Sequence, residues 1–217
     1  MRRIFGILTL LIFIVLTGCM KGSTDSSKNL KASSVQPTTL PIVQPSPQPT
    51  AAIDQVKQQM NIEYAFSQAH QHPEKMLIDV INSTKETLDI AIYSLTHPDI
   101  VAAIKEAKKR GVTVRIISDK IQSTGKTQDE ALKLLGSAGI PMKVNKHNGL
   151  MHLKVTIADK KVATTGSYNY SQAASTSNDE VLMVIHDEAA AKAFTDQFER
   201  MWNDTKGFET LQKKIAQ

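Results

Sequence analysis

The chain has 217 residues, of which 41% are hydrophobic and 22% are charged. This length suffices for one globular domain of ordinary size and excludes a protein with several large domains. The formal net charge is +5, from 26 Lys and Arg against 21 Asp and Glu, and this mild basic excess permits a phosphate-bearing partner without requiring one.

Residues 1–18 have the pattern of a signal peptide. A basic start is followed by an apolar run and then by small residues that lead to Cys19, the only cysteine of the chain. Residues 16–19 (Leu-Thr-Gly-Cys) resemble the lipobox of bacterial lipoprotein signals, in which the cysteine is diacylated and becomes the new N-terminus. Because two acyl chains suffice for stable anchoring, we expect a lipoprotein of the bacterial cell envelope that is membrane-anchored through Cys19 and faces outside the cytoplasm. An uncleaved N-terminal membrane helix is the alternative, since the apolar run is only slightly shorter than a bilayer span.

Residues 19–54 differ in composition from the rest of the chain. They are rich in Ser, Thr and Gln and contain five of the eight prolines. Such a stretch cannot bury enough apolar surface to order itself. We therefore predict a disordered tether over 19–54 and one folded domain over 55–217.

The folded part alternates strand-like and helix-like segments, which predicts an α/β architecture. Residues 87–118 form one strand-helix-strand unit, whose two strands should be parallel and joined by a right-handed crossover. Thr96 and Asp99 stand three apart like a helix-capping pair, and Gly111 suits the left-handed end of that helix. The predicted strands are residues 62–67, 87–93, 112–117, 141–145, 161–165 and 181–185, and the predicted helices are residues 73–83, 98–110 and 127–136.

A chemical pattern begins at His152. Residues 152–158 alternate with period two, so His152 and Lys154 should project from the same face of a strand. A turn at Asp159 should lead into a return strand that ends in Gly166, after which Ser167 and Asn169 follow. A histidine, a lysine and an asparagine or serine on adjoining segments are able to surround one tetrahedral anion.

The same residues resemble a known motif. His152-x-Lys154, four residues, Asp159, six residues and Gly166-Ser167-x-Asn169 are similar to the HKD motif of the phospholipase D superfamily, with each spacing intact. The resemblance covers about residues 60–206 and is to the compact bacterial endonuclease branch. It implies a single phospholipase D-like α-β-α sandwich with a mixed β-sheet and one HKD motif per chain. The segments that carry it outside the motif are residues 90–96, 102–112, 178–180 and 198–202.

Cleavage of a phosphodiester needs a nucleophile on one side of phosphorus and a proton donor on the other, with cations at the remaining oxygens. One imidazole cannot occupy both sides, and His152 is the only histidine of the motif. We therefore expect a homodimer with a shared active site, in which two copies of His152 face one phosphate. One copy would form a phosphohistidine, the other would protonate the leaving group, and Lys154 with Asn169 would hold the nonbridging oxygens.

Three further residues have open roles. By similarity to the family, Ser167 and Glu180 orient the imidazoles. Glu180 is equally interpreted as a solvated strand end, since it opens the apolar strand 181–185. In addition, Val181 stands where the family branch usually has asparagine, a departure that bears on the orienting role of Glu180. Asp159 belongs to the motif but lies at a predicted turn, which favours a structural role over direct chemistry.

The sequence contains no glycine-rich dinucleotide loop and no paired carboxylate cluster of the kind that holds catalytic magnesium. We therefore expect neither a metal nor another cofactor. The function predicted is a metal-independent phosphodiesterase, an extracytoplasmic endonuclease that acts on DNA or RNA. A phospholipase D acting on phosphatidylcholine-type lipids is the first alternative, and a non-catalytic nucleic-acid-binding lipoprotein is the second.

Overall fold

The structure is a computed structural model that describes residues 61–215. This part contains a mixed sheet of eight strands and five α-helices. The predicted signal peptide, lipidated Cys19 and tether lie outside the described residues. The elements are β1 (Asn61–Phe66), α1 (Pro73–Ser83), β2 (Thr87–Ile92), α2 (Pro98–Lys109), β3 (Thr113–Ser118), α3 (Lys126–Ser137), β4 (Met142–Asn145), β5 (Lys154–Ala158), β6 (Val162–Gly166), α4 (Gln172–Thr176), β7 (Val181–His186), α5 (Glu188–Asn203) and β8 (Phe208–Leu211).

The strand order is β1-β7-β6-β5-β2-β3-β4-β8. The pairs β2–β3 and β3–β4 are parallel, and the others are antiparallel. The predicted parallel pairing within residues 87–118 is therefore confirmed. Strands β2 and β5 lie at the centre of the sheet, and Ile92 at the end of β2 is directly opposite Lys154 at the start of β5.

The sheet separates two apolar layers. Leu88, Ile90 and Ile92 of β2 pack into the larger cluster, with residues of α1, α2 and α3. Ala91 points to the other face, where the second cluster includes Phe198 and other residues of α5. This period-two alternation places helices on both faces, so the predicted α-β-α sandwich with a mixed sheet is confirmed.

An ion cluster fixes α5 against the sheet. Asp89 and Arg115 are directly opposite on β2 and β3, and the buried carboxylate accepts two hydrogen bonds from the guanidinium, at 2.7 and 2.8 Å. Glu199 of α5 accepts a third at 2.6 Å, while the guanidinium carbon lies 5.0 Å from the ring centroid of Phe198. Hydrogen bonding to Asp89 raises the pKa of Arg115 above its usual range, so the cluster stays charged wherever the carboxylates are ionised.

The remaining predicted elements match the structure to within one or two residues, with two corrections. The N-cap of α2 is His97 and not Thr96, because the ring of His97 accepts a hydrogen bond from the backbone N–H of Asp99 at 3.3 Å. Strand β5 begins at Lys154, so His152 precedes the strand instead of lying within it. Gly111 has φ +93°, as a left-handed helix end requires.

Charges in the described part are nearly balanced, with 20 Lys and Arg against 19 Asp and Glu in residues 61–215. Most of the positive excess of the chain therefore lies outside this part. Between residues 61 and 215, no helix combines the length and the apolar character needed to cross a membrane.

Candidate active site

The two halves of the motif meet beyond the carboxyl end of β2. Here the backbone N–H of Tyr93 donates to the carbonyl of Leu153 at 2.9 Å, and the N–H of Tyr170 donates to the carbonyl of Ser94 at 3.0 Å. The segment after β2 is thus held between the residue that follows His152 and the residue that follows Asn169. The structure brings the histidine and asparagine parts of the motif to the same edge of the sheet.

His152 and Lys154 form one unit. The ammonium nitrogen of Lys154 lies 3.0 Å from both ring nitrogens of His152 and 3.0 Å from its carbonyl oxygen. Lys154 is buried, with 6% of its surface exposed, whereas His152 is exposed. The imidazole at the surface therefore lies against a buried ammonium group.

Burial lowers the pKa of the Lys154 ammonium below its usual value because a low-dielectric site disfavours the charged form. The negative charge of Glu180 acts in the opposite direction. Glu180 is therefore within electrostatic range of Lys154. This interaction connects Glu180 to the motif.

Tyr93 is a site residue that sequence reasoning did not predict. Its ring centroid lies 4.5 Å from that of His152, with the two planes tilted by 58°, and 5.1 Å from the Lys154 ammonium. The side-chain amide of Gln122 donates to the phenolic oxygen at 2.8 Å. The signal that could have identified it is its position as the first residue after the central strand β2, where parallel α/β sheets place functional groups.

Asp119 holds the chain just before His152. Its buried carboxylate accepts a hydrogen bond from the backbone N–H of Met151 at 3.0 Å and two at 2.9 Å from the N–H groups of Ile121 and Gln122. The Asp119 carboxylate therefore connects the residue before His152 to the loop that contains Gln122, the hydrogen-bond partner of Tyr93.

Gln128 holds the segment that contains Tyr93 by hydrogen bonds to the backbone. Its buried side chain accepts from the N–H of Leu95 at 2.9 Å and donates to the carbonyl of Tyr93 at 3.2 Å and the hydroxyl of Ser118 at 2.9 Å. Because these hydrogen bonds use both ends of the amide, the segment after β2 has little freedom to move.

The second half of the motif begins with a bend at Gly166. Its φ is +135°, and a Cβ here would clash with the backbone carbonyl of Val181. After the bend, the hydroxyl of Ser167 accepts a hydrogen bond from the N–H of Val181 at 3.1 Å. The amide oxygen of Asn169 is buried without a hydrogen-bond partner among residues 61–215. An unmatched buried acceptor is costly, so this oxygen is available to accept a hydrogen bond, while the N–H groups of the same amide are donors.

Asp159 lies in the predicted turn, where it and Lys160 both have positive φ. Its carboxylate accepts hydrogen bonds from the backbone N–H groups of Lys85 (2.9 Å), Glu86 (2.7 Å) and Thr87 (3.0 Å). Burial acts to raise the pKa of this carboxyl, but the three N–H donors lower it overall. This geometry favours the structural role expected from the sequence.

Ser167 and Glu180 were expected to orient the imidazole. The carboxylate of Glu180 accepts from the amide of Asn178 at 3.2 Å, and Ser167 is engaged by Val181. Within residues 61–215 of one chain, no hydrogen bond joins either side chain to His152. Their orienting role stays a prediction.

A metal centre was not expected from the sequence. Among residues 61–215, no group of three or more His, Cys, Asp or Glu side chains is placed to hold a metal ion. The imidazole, ammonium and amide of the motif lie at this edge of the sheet.

The fold is similar to two solved structures, each at 30% sequence identity. The first is Nuc from Salmonella typhimurium, a phospholipase D family member, with a TM-score of 0.66 over 71% of this chain and 99% of that one. The second is NucT from Helicobacter pylori, with a TM-score of 0.56 over 65% of this chain and 96% of that one. Both relatives are matched over almost their whole length.

Curated relatives are also similar in sequence. The mitochondrial cardiolipin hydrolase of Chlamydomonas reinhardtii is 34% identical over 126 residues, 58% of this chain and 56% of that protein. A phospholipase D of Rickettsia bellii is 35% identical over 120 residues, 55% of this chain and 59% of that protein. The chain spans a little over half the length of these relatives.

A family model described as cardiolipin synthase, PLD-like domain, matches residues 77–202. The match covers more than half of the chain and includes His152, Lys154 and Asn169. It agrees with the similarity to Nuc and with the motif found in the sequence. The chain therefore belongs to the PLD-like domain family of the phospholipase D superfamily.

Proposed function

We propose that this protein is a phosphodiesterase and that it acts as an endonuclease on DNA or RNA. The observation that carries the proposal is the buried ammonium of Lys154, 3.0 Å from the imidazole of the exposed His152. A nucleophile and a cation at this spacing are able to engage the phosphorus and a nonbridging oxygen of the same phosphate.

The reaction has two steps. In the first, a ring nitrogen of His152 attacks phosphorus, a phosphorus–nitrogen bond forms, and the bond to the leaving oxygen breaks as that oxygen takes a proton. In the second, a water molecule gives up a proton and attacks phosphorus, and the phosphorus–nitrogen bond breaks to restore His152. Lys154 and Asn169 hold the nonbridging oxygens in both steps. No step uses a metal ion, because the side chains supply the nucleophile, the proton and the positive charge.

The proton donor of the first step and the base of the second are a second copy of His152 in a homodimer. One motif per chain provides a single such imidazole, and His152 lies at the surface, where a second copy has access to the same phosphate. Leu150 and Leu153 beside it are large exposed apolar residues, which suits contact with another chain. Sedimentation equilibrium of the full-length protein tests this point, and a monomer with full activity would contradict it.

Nucleic acid is the preferred substrate because the described domain has the compact size of the single-motif branch that the sequence resembles. The matches to Nuc and NucT, over 99% and 96% of those chains, support that size. The names of the curated relatives favour the alternative substrate, a phospholipid, since these relatives are a cardiolipin hydrolase and a phospholipase D.

The test uses the full-length protein with plasmid DNA and single-stranded oligonucleotides in EDTA. We expect cleavage by the wild type and a loss of about a thousandfold or more in His152→Ala. His186→Ala is the matched control. His186 lies 2.7 Å from Glu63 of β1, the strand at one end of the sheet. The His186→Ala variant should therefore cleave at the wild-type rate. Turnover of phosphatidylcholine or cardiolipin vesicles without DNA cleavage would support the lipid alternative. DNA binding without any turnover would support the non-catalytic alternative.

We also propose that the chain is a lipoprotein anchored through Cys19 in the bacterial cell envelope. The support is the signal-like start and the lipobox resemblance of residues 16–19, which lie outside the described residues. Cys19→Ser should abolish the gain in mass from two acyl chains and release the protein from membranes. A Cys19→Ser protein that keeps its full mass and still sediments with membranes would favour the uncleaved helix.

A further inference from the structure

A cleft of about 440 Å³ adjoins the motif on the side of β1 and β7. We call it the Phe66 cleft. Its apolar wall includes Phe66, Ala69 and Val181, and its polar wall includes Ser167, Asp179 and Glu180. Ser167 of the motif and Glu180, whose charge acts on Lys154, both line this cleft, so it lies next to the candidate active site.

Phe66 of the apolar wall forms an exposed aromatic pair with Tyr64. Tyr64 and Phe66 are 59% and 45% exposed, and their ring centroids lie 5.8 Å apart in an edge-to-face arrangement. Both stand on β1, the outermost strand at this end of the sheet, with Phe66 directly opposite Val181 of β7. Two large aromatic rings left open beside a reactive centre are typical of a binding surface.

The backbone holds Phe66 in this position. Its N–H donates to the side-chain oxygen of Gln71 at 2.9 Å. The next residue, Ser67, donates from its N–H to the carbonyl of Glu180 at 3.1 Å, and its hydroxyl accepts from the N–H of Glu180 at 2.9 Å. The aromatic wall and the carboxylate wall are therefore joined by hydrogen bonds and keep a fixed separation.

The negative charge of the cleft limits which part of a substrate is able to bind there. Two carboxylates, Asp179 and Glu180, line it, and among residues 61–215 no lysine or arginine does. A phosphate is repelled there, so the part of the substrate that enters is uncharged. An acyl chain would have to desolvate the carboxylates without giving them a hydrogen bond, which is costly.

A nucleobase meets both conditions. It offers an aromatic face to Phe66 and N–H groups at its edge to the exposed carboxylate of Asp179, and it fits the volume of the cleft. We propose that the Phe66 cleft binds the base of a nucleotide that flanks the scissile phosphate, an inference that rests on the proposed nuclease function. The base must be unpaired and unstacked to enter, so a single strand is the form of substrate that the cleft accepts.

The experiment compares two substrates with the full-length protein. One is a single-stranded oligodeoxynucleotide, and the other is an abasic oligonucleotide of the same length, whose phosphodiesters carry no base or other aromatic ring. Stacking on an aromatic side chain contributes about 1–3 kcal/mol per base, so Phe66→Ala should lower kcat/KM for the oligodeoxynucleotide by about fivefold to about 150-fold. Turnover of the abasic oligonucleotide should stay at the wild-type level.

Two variants sharpen the comparison. Phe66→Trp keeps an aromatic face and should retain most of the oligodeoxynucleotide activity. Leu134→Ala is the matched control, because Leu134 is exposed to a similar extent (39%) but lies on α3, and it should leave both substrates unaffected.

The failures are distinguishable. A wild type that cleaves neither substrate overturns the proposed function, and the cleft inference with it. A wild type that cleaves both substrates, with Phe66→Ala unchanged on the oligodeoxynucleotide, overturns the cleft inference alone. Equal losses on both substrates, or a changed oligomeric mass in Phe66→Ala, would make Phe66 a structural or interface residue and overturn it as well.

Discussion

The Lys154 ammonium is equidistant from the two ring nitrogens of His152, 3.0 Å from each. The ammonium therefore lies beside whichever ring nitrogen attacks the phosphorus. It also lies within reach of any oxygen of a phosphate that the imidazole engages. The pair is therefore suited to hold a phosphate and to react with it at the same point.

Replacing Lys154 tests this arrangement. Lys154→Met removes the charge and should lower kcat by about a hundredfold to a thousandfold. Steady-state kinetics on a base-free phosphodiester measure the effect, and the circular dichroism melting curve shows whether the variant folds. A folded Lys154→Met with wild-type kcat would contradict the role of the ammonium.

The pH profile gives a separate test of the same residue. Burial lowers the pKa of Lys154, so its positive charge is lost, and activity with it, as pH rises through a value below the usual lysine pKa. An arginine at this position stays charged at all accessible pH values, so any residual activity of Lys154→Arg should lack this alkaline limb. Profiles of kcat/KM from about pH 6 to about pH 10 distinguish the two, and identical alkaline limbs would argue against Lys154.

Tyr93 should act by positioning His152. Its ring packs against the imidazole at 4.5 Å, so Tyr93→Ala should lower kcat by about tenfold to a hundredfold through misplacement of the nucleophile, with a smaller change in KM. Tyr93→Phe keeps the ring and loses only the hydrogen bond from Gln122, so it should remain close to wild type. If Tyr93→Phe were as impaired as Tyr93→Ala, the hydroxyl and not the ring would be the important group.

Asp159→Asn should destabilise the fold without changing the chemistry of the site. A neutral amide has one acceptor oxygen in place of two for three backbone N–H groups, which should cost about 2 kcal/mol at neutral pH. Because the folded pKa of Asp159 is lowered, the stabilisation is present above the unfolded value of about 3.9 and is lost as pH falls through the folded value. Urea unfolding at about pH 7 and about pH 3 should therefore show a difference from wild type that shrinks at the lower pH. A constant difference would mean that the carboxylate charge contributes nothing.

Gly166→Ala should combine backbone strain with a steric clash. The φ of +135° and the blocked space toward Val181 predict a loss of about 3 kcal/mol in the free energy of unfolding, and a displaced Asn169. Gly111→Ala is the matched control: its φ is also positive, at +93°, but nothing lies within 4 Å of the position that an alanine methyl would take, so it should cost about 1 kcal/mol. Thermal unfolding measures both, and equal losses would show that the clash with Val181 is relieved.

The sequence predicted the α/β sandwich because its strands and helices carry clear apolar periodicity and end signals. Helix α1 was predicted at its observed bounds, and the parallel unit around β2 and β3 was predicted from one well-capped helix between two apolar runs. The prediction of the cap at Thr96 was wrong because threonine is an ordinary cap residue by type, and only the folded geometry shows which of two neighbouring side chains accepts the hydrogen bond.

The motif residues were found from spacing, but their supporting residues were not. Tyr93, Asp119 and Gln128 act on segments that lie more than 30 positions away in the chain, and no local pattern marks such contacts. The Phe66 cleft was missed for the same reason, since it joins the first strand to residues about 100 positions later or more.

The numbers of positive and negative side chains in residues 61–215 are nearly equal. This balance affects how the binding of a nucleic acid would depend on salt. The affinity of a protein for nucleic acid falls with salt in proportion to the number of phosphates that its cations neutralise. A surface with balanced charges displaces few counterions, so its grip on the strand rests on the few groups around one phosphate. On the proposed nuclease function, we expect cleavage that persists at ionic strengths that would detach a strongly basic nuclease.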